Sequence, residues 1–248
     1  MVRLEALLMG VLVLSFCVAW TAPPPACEWS PGMYWEWSIT LPQSPSLSGT
    51  STVYVLKAER WGDYEVDFLA WIWPFELGEV VQLGAAVRQP CGQMRGFGLW
   101  AANAHRWWTY PPGTEIEQRW QGGVTGEGTL RVSISDEEVT VEVPAGEFEG
   151  CVHLTLAGEY MDGGEGHEVR EEVWFSRELG WPVKGTFRYG LLPESHFELL
   201  GLGQLELGEA VARVLAAVDR MAALGGPFDY QAFHVREQLR SLGLLPEE

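Results

Sequence analysis

Three pairs of glutamates have the spacing that acid–base chemistry could use, and they are Glu137 with Glu138, Glu147 with Glu149, and Glu171 with Glu172. Glycoside hydrolysis requires two carboxyl groups at a fixed separation, one as the acid and the other as base or nucleophile. Glu138 and Glu172 fall on the polar side of alternating strand patterns, and the other four lie beside predicted turns. We therefore interpret these acids as solvated surface charge and predict no catalytic residue.

Other motifs of catalysis and cofactor binding are absent from the sequence. It contains no G-x-S-x-G elbow, no H-E-x-x-H pair, no G-x-x-x-x-G-K phosphate loop and no dinucleotide fingerprint. Ser46, Ser48 and Ser51 have no histidine nearby in the sequence to activate them. Because the cysteines lack C-x-x-C spacing and the five histidines are scattered, we predict neither a metal site nor a cofactor.

Two aromatic stretches supply the candidate ligand-binding residues. Residues 68–75 (FLAWIWPF) are apolar on both faces of a strand, and a second concentration follows at 105–108 (HRWW). Such a segment is either buried on both sides, here by the C-terminal helices, or presents a surface to an apolar ligand. In the second case the ligand contacts are Trp71, Trp73, Phe75, Trp107 and Trp108.

Composition and charge narrow the classes of partner. Among 248 residues, 47% are apolar, which is enough for a full hydrophobic core. The 34 acidic and 16 basic side chains give a formal net charge of -18. This charge repels phosphate backbones, and no basic patch offsets it locally, so we predict no nucleic-acid partner.

The amino terminus resembles a secretory signal. An apolar run from Leu7 to Trp20 follows Arg3, and prolines at 23–25 end it. The run is shorter than the roughly 20 residues that a membrane-spanning helix needs. Residues 1–22 are therefore predicted to be a signal peptide, cleaved after Ala19 or Ala22, with a retained membrane anchor as the alternative. No later segment is long and apolar enough to span a membrane.

The cysteines bear on lipid anchoring and on disulfide formation. Bulky Phe16 precedes Cys17, and Cys27 lies beyond the apolar run, so neither cysteine matches a lipid-attachment motif and no lipid anchor is predicted. The mature chain keeps Cys27, Cys91 and Cys151, which permit three single pairings. We favour Cys27–Cys91, because both lie in proline-rich, loop-like sequence whereas Cys151 opens a strand.

The middle of the chain has the pattern of an antiparallel sheet. From residue 33 to about residue 205, apolar side chains recur at every second position, as in Trp35 and Trp37 or in Val139, Val141 and Val143. Turn sequences rich in Gly, Asp and Pro separate these runs, so successive strands can pair as hairpins. The pattern predicts a mainly β domain over residues 23–207, an antiparallel meander that forms an open or closed barrel or a sandwich.

The tail has a helical pattern. The apolar residues of two predicted helices are Val211, Leu215, Val218 and Ala222 in the first, and Phe233, Leu239 and Leu242 in the second. We predict a two-helix hairpin over residues 208–248, with glycines 225–226 as the turn and Asp229 as the N-cap of the second helix. The hairpin packs on or beside the sheet, or else it docks an envelope protein or gates a ligand cleft.

Three motifs resemble a family of secreted bacterial domains of unknown function. Residues 141–151 (VEVPAGEFEGC), 172–176 (EVWFS) and 179–184 (LGWPVK) resemble its V-x-V-P-A-G-x-F turn, its W-[FY]-[AS] strand and its G-[LV]-V-K segment, with Trp181-Pro182 in place of the usual leucine–valine type pair. The stretch 31–37 (PGMYWEW) is similar to the first aromatic strand of such proteins. The resemblance implies a curved antiparallel half-barrel, similar to those of lipoprotein carriers, with a concave apolar face.

These features predict an exported envelope protein, periplasmic or extracellular, that binds or carries an apolar or amphipathic, lipid-like ligand without catalysis. A secreted polysaccharide hydrolase and a structural or assembly component of the envelope are the alternatives. An apolar cavity would favour the carrier, and two acids facing each other across a cleft would favour the hydrolase. A solid core with an exposed apolar helix face would favour assembly.

Overall fold

The computed structural model describes residues 29–42, 45, 48–61, 64–75, 77–88, 93–95, 112–122, 126–162, 165–189 and 194–246. The predicted signal peptide, Cys27, Cys91, Trp107 and Trp108 lie outside the described residues. Phe75 ends a described strand, but its side chain is outside the description as well.

The described strands form one antiparallel sheet, and two helices follow it. The strands are β1 (Met33–Thr40), β2 (Gly49–Trp61), β3 (Tyr64–Phe75), β4 (Gly78–Arg88), β5 (Gln93–Arg95), β6 (Glu115–Gly122), β7 (Gly126–Val143), β8 (Gly146–Asp162), β9 (Glu165–Ser176), β10 (Trp181–Tyr189) and β11 (Ser195–Gln204). The helices are α1 (Leu207–Ala222) and α2 (Pro227–Ser241). The predicted fold class, mainly antiparallel β with a C-terminal helical hairpin, is confirmed.

The order of strands differs from a simple meander. Across the sheet it is β5-β4-β3-β2-β1-β11-β10-β9-β8-β7-β6. The first and last strands therefore lie side by side and join two meanders, while β5 and β6, which follow each other in the chain, lie at opposite edges. Local alternation cannot show this pairing, because β1 and β11 are separated by almost the whole sequence.

The sheet curves strongly. Four strand spacings separate β3 from β10, which in a flat sheet would amount to about 19 Å. The ring centroids of Trp71 on β3 and Trp181 on β10 nevertheless lie only 6.5 Å apart. The strands must therefore bend toward each other, with both rings on the concave face.

Five tryptophans pack together on this concave face, and we call them the tryptophan cluster: Trp29, Trp35, Trp37, Trp71 and Trp181. All five are buried. Trp181 lies at the centre, with ring centroids 5.0 Å from Trp29, 5.2 Å from Trp35 and 5.7 Å from Trp37. Two indole N–H groups donate across the sheet, from Trp29 to the Leu179 carbonyl at 3.2 Å and from Trp37 to the Pro182 carbonyl at 3.4 Å.

The long β7–β8 hairpin closes one side of the concave core. Register shifts in β7 let the hairpin bend, and Val141 and Val143 lie buried in the same core as the tryptophan cluster. The turn follows at residues 144–145, and the Ala145 N–H donates to the Leu199 carbonyl of β11 at 3.1 Å. The V-x-V-P-A-G-x-F motif is therefore the tip of a hairpin that packs across the concave face.

The two helices cover the opposite, convex face of β2, β3 and β4. Along β3 the side chains alternate, with Leu69 and Trp71 in the concave core and Ala70 and Ile72 against the helices. This double burial explains why residues 68–75 are apolar on both faces. From α1, the buried residues are Ala210, Val211, Val214, Ala217, Val218 and Met221.

The second helix differs from its prediction in two respects. It begins at Pro227 with Gly226 as the N-cap, and Asp229 lies in its first turn instead of capping it. Phe233 is 54% exposed and Tyr230 is 69% exposed, so neither is part of the packed face. The prediction that the C-terminal helices dock another protein stays a prediction.

Candidate functional site

A narrow apolar cleft opens at one end of the concave face, and we call it the aromatic cleft. It is lined by Trp37, Ile39, Ser51, Trp71, Trp73, Phe187 and Phe197, and its volume is about 10 Å³. A space of this size holds about one water molecule. The described residues therefore contain an apolar cleft at this position, already largely filled by its own side chains.

The inner wall of the cleft is rigidly held. The indole N–H of Trp71 donates to the Ser51 hydroxyl, which donates in turn to the Ile72 carbonyl at 3.1 Å. Trp73 stacks on Trp71 with 4.1 Å between ring centroids and an interplanar angle of 5°. Trp71 is fully buried, whereas Trp73 is partly exposed at the rim. The polar atom of the wall is thus already engaged, and what faces the cleft is aromatic surface.

The opposite wall consists of two phenylalanines on β10 and β11. The ring centroids of Phe187 and Phe197 are 6.3 Å apart. Phe197 lies over Gly185, where an added Cβ would come within 2.8 Å of the phenyl ring. A glycine at this position of β10 is therefore required for the ring to lie flat on the sheet.

A buried carboxyl group lies directly behind this wall. Glu171 on β9 is the cross-strand partner of Phe187 on β10 and of Leu156 on β8, and it is only 1% exposed. Its Oε2 atom has no hydrogen-bond partner among the described residues. Burial raises the pKa of Glu171 from its ordinary value of 4.5 to about 8, so the carboxyl is protonated at neutral pH.

The prediction that Glu171 is a surface acid beside a turn is wrong, because its side chain is buried. The signal that could have found it is the alternation of β9, because Val169, Glu171, Val173 and Phe175 occupy one side of the strand. Its neighbour Glu172 points to the other face, where Oε1 lies 3.0 Å from Nε2 of His153. The two acids therefore do not face each other.

The outer face of β8, β9 and β10 is polar. His153 stacks on Trp174 with 4.5 Å between centroids, and Nζ of Lys184 lies 4.9 Å from the Trp174 ring centroid. An open depression of about 460 Å³ lies beside it, lined by Ser133, Ile134, Ser135, Asp136, Glu137, His153 and Thr155. Within the described ranges, no group of three or more His, Cys, Asp or Glu side chains could hold a metal ion.

The other predicted site residues are placed as follows. Trp71 and Trp73 meet in the aromatic cleft, but the structure does not describe the side chains of Phe75, Trp107 and Trp108. The predicted Cys27–Cys91 disulfide also lies outside the described residues.

Cys151 is buried as a free thiol, and its Sγ donates to the Phe148 carbonyl at 3.3 Å. Burial raises its pKa to about 11, so the thiol is uncharged at neutral pH. It is therefore a core residue with little of the thiolate character that nucleophilic chemistry requires.

No family model matches the chain, and no curated protein matches it. Among solved structures it is similar to a Bacteroides fragilis protein named an exported protein with a YmcC-like fold, with a TM-score of 0.45 and 12% identity over 73% of this chain and 98% of that chain. A Parabacteroides distasonis protein named a lipoprotein has a TM-score of 0.45 and 12% identity, covering 70% and 96%. The hypothetical lipoprotein YmcC of Escherichia coli has a TM-score of 0.34 and 10% identity, covering 69% and 86%.

In the described part of the chain, no helix is both long and apolar enough to cross a membrane. The two helices that it contains instead bury their apolar residues against the sheet. Their apolar character is thus explained by packing.

Proposed function

We propose that this protein is an exported, non-catalytic binding module for an apolar or amphipathic ligand, which it holds at the aromatic cleft. The observation that carries the proposal is the lining of the cleft. Five aromatic rings and Ile39 converge there, and the hydroxyl of Ser51 is already engaged by its neighbours. Such a surface recognises hydrocarbon or aromatic groups, because it gains by removing apolar area from water and offers little to a polar molecule.

Ligand entry requires side chains at the rim to move. At about 10 Å³ the cleft holds no hydrocarbon chain as it stands. Trp73 and Phe187 are only half-buried, unlike Trp37 and Trp71 behind them. We therefore expect the end of a ligand chain to displace the Trp73 or Phe187 ring and to pack against the buried Trp71 face.

Binding is testable with 1-anilinonaphthalene-8-sulfonate as a reporter and dodecanol as a competitor. Wild-type protein should enhance the emission of the reporter, and dodecanol should reverse the enhancement. Ile39→Trp fills the cleft and should weaken reporter binding about tenfold or more. Trp174→Phe is the matched control, because Trp174 lies on the outer face, and it should bind as the wild type does.

The outcome is decided by the comparison of these variants, each first shown to be folded by circular dichroism. Saturable, competitor-sensitive binding that Ile39→Trp removes and Trp174→Phe keeps supports the proposal. Wild-type protein that neither enhances the reporter nor responds to dodecanol would overturn it, and so would equal binding by the cleft-filled variant.

The export part of the proposal rests on the sequence of residues 1–22. A reporter that is active only outside the cytoplasm, fused after residue 22, should become active and should lose the first 19 to 22 residues. Mass spectrometry of the secreted fusion checks the cleavage position. An inactive, uncleaved fusion would count against export.

A further inference from the structure

We infer that Glu171 recognises the polar end of the ligand, by donating a hydrogen bond from its carboxyl O–H to a neutral carbonyl oxygen of an amphiphile such as an acyl ester or ketone. This inference rests on the proposed function, because it assigns a second contact to a ligand that already occupies the aromatic cleft. It also narrows the chemical class of the ligand, because an amphiphile with a hydrogen-bond acceptor beside its hydrocarbon chain would bind more tightly than a pure hydrocarbon.

The position of Glu171 supports this role. In the register of the sheet, Leu156, Glu171, Phe187 and Ser195 form one row across β8, β9, β10 and β11. Side chains directly opposite each other in such a row have their Cβ atoms about 5 Å apart. Glu171 is therefore one side chain away from the cleft, and movement of the Phe187 ring would open a direct path between them.

The hydrogen bonding of Glu171 is incomplete. Its Oε2 atom is buried and has no partner among the described residues. Buried polar atoms in native proteins are nearly always hydrogen-bonded, since an unmade bond is unfavourable in an apolar environment. A leucine would pack in this row without that penalty, so a carboxyl group at this place calls for a partner that arrives from outside.

The charge state of Glu171 selects the kind of partner. Its side-chain neighbours in the described concave core are Leu156, Val169, Val173 and Phe187, none of which titrates. Desolvation by burial is the cause of its raised pKa. Among the described residues, the other buried carboxyl group is Asp67, which belongs to β3 and is not a cross-strand partner of Glu171. The carboxyl is thus neutral at pH 7, and its O–H can donate a hydrogen bond to an acceptor oxygen.

The test compares 2-undecanone with undecane, two chains of equal length that differ in a carbonyl group. Their affinities are measured by competition with 1-anilinonaphthalene-8-sulfonate at pH 6.5 and at pH 9. For each protein, the preference is the ratio of its affinity for 2-undecanone to its affinity for undecane. The preference of the wild type is then compared with that of Glu171→Leu. At pH 6.5 the wild type should show about a tenfold greater preference, the size of one good hydrogen bond.

Two features of this test separate recognition from a structural role. At pH 9 the wild type should lose its preference, because the ionised carboxylate no longer donates. Glu171→Gln should keep the preference at both pH values, because its amide N–H donates without titrating. A residue that mattered for packing alone would give neither the pH profile nor the rescue by glutamine.

Each outcome has one meaning. If wild-type protein binds neither compound, the proposed function itself fails. If both compounds bind but the wild type and Glu171→Leu share the same preference, the cleft binds ligands and the role of Glu171 is overturned. If undecylamine gains affinity in the wild type at pH 9 and the ketone shows no preference at pH 6.5, the residue pairs with a cation instead, which also overturns the inference.

Discussion

Glu171 and Cys151 are ionisable side chains that the concave core keeps uncharged. Desolvation is the first cause of the raised pKa in both, about 8 for the carboxyl and about 11 for the thiol. The consequences differ, because Cys151 is neutral in the unfolded chain as well at pH 7, whereas the unfolded glutamate is ionised. Of these two side chains, Glu171 is therefore the one that makes stability depend on pH in the neutral range.

The free energy of unfolding should fall as pH rises from about 4.5 to about 8. The unfolded chain releases the Glu171 proton near pH 4.5 and the folded chain holds it until about pH 8, so the folded state binds more protons across this window. The loss contributed by Glu171 is at most about 5 kcal/mol. Urea unfolding across this pH series measures it.

Variants isolate this effect from the other acids of the chain. Glu171→Gln should remove the slope that Glu171 contributes. Glu172→Gln should leave that slope in place, because Glu172 lies on the outer face beside His153. Equal pH slopes for the wild type and Glu171→Gln would show that Glu171 is not buried in its protonated form.

Local patterns predicted single elements well and long-range pairing poorly. The alternation of Trp35 and Trp37 predicted both a strand and its buried side, because strand periodicity is a property of neighbouring residues. The proximity of Trp71 to Trp181 was not predictable, since it depends on the curvature of the sheet and on the pairing of β1 with β11. Phe233 is exposed although it is apolar, because α2 buries a face defined by Ala232, Val235 and Leu239.

Packing of α1 on the sheet can be tested with two adjacent alanines. Ala217 is fully buried against the sheet, and Ala216 is exposed on the other side of the same helix. Ala217→Asp should lower the free energy of unfolding by about 3 kcal/mol or more, because it places an unpaired carboxylate in an apolar interface. Ala216→Asp should lower it by about 0.7 kcal/mol or less, which is the helix-propensity cost of aspartate relative to alanine.

The measurement is chemical denaturation of both variants, followed by far-ultraviolet circular dichroism. Both variants replace alanine with aspartate in the same helix and therefore lose nearly the same helix propensity. The difference between their free energies of unfolding thus reports the burial of Ala217. Equal destabilisation would mean that α1 is not held against β2, β3 and β4 in solution.

At the scale of the whole molecule, the backbone pairing between β10 and β11 is short. These strands pair from Lys184 to Phe187 against Ser195 to Glu198, whereas β1 pairs along its full length with β11. Beyond Lys184 the two strands are bridged by side chains. Trp181 packs there among the tryptophans of β1, and the Trp37 indole donates to the Pro182 carbonyl.

The tryptophan cluster therefore couples the meander of β6–β10 to the rest of the sheet, and Trp181→Ala should weaken that coupling. Removing a fully buried indole leaves a cavity where β10 meets β11 and should lower the free energy of unfolding by about 3–5 kcal/mol. Because the remaining backbone pairing between β10 and β11 is short, strands β6–β10 should then unfold separately from the rest of the protein. Urea transitions followed by circular dichroism and by tryptophan emission should coincide in the wild type and diverge in Trp181→Ala.

Trp174→Ala is the control for this last prediction, because Trp174 belongs to the same meander but lies on the outer face between His153 and Lys184. Because Trp174 is only partly buried, its removal should cost less stability than that of Trp181 and should leave the two transitions coincident. Coincident transitions in Trp181→Ala, with a loss no larger than that of the control, would mean that backbone pairing alone joins the two parts. Divergent transitions in Trp181→Ala alone would show that the tryptophan cluster holds β6–β10 to the rest of the sheet. The cluster would then compensate for the short backbone pairing between β10 and β11.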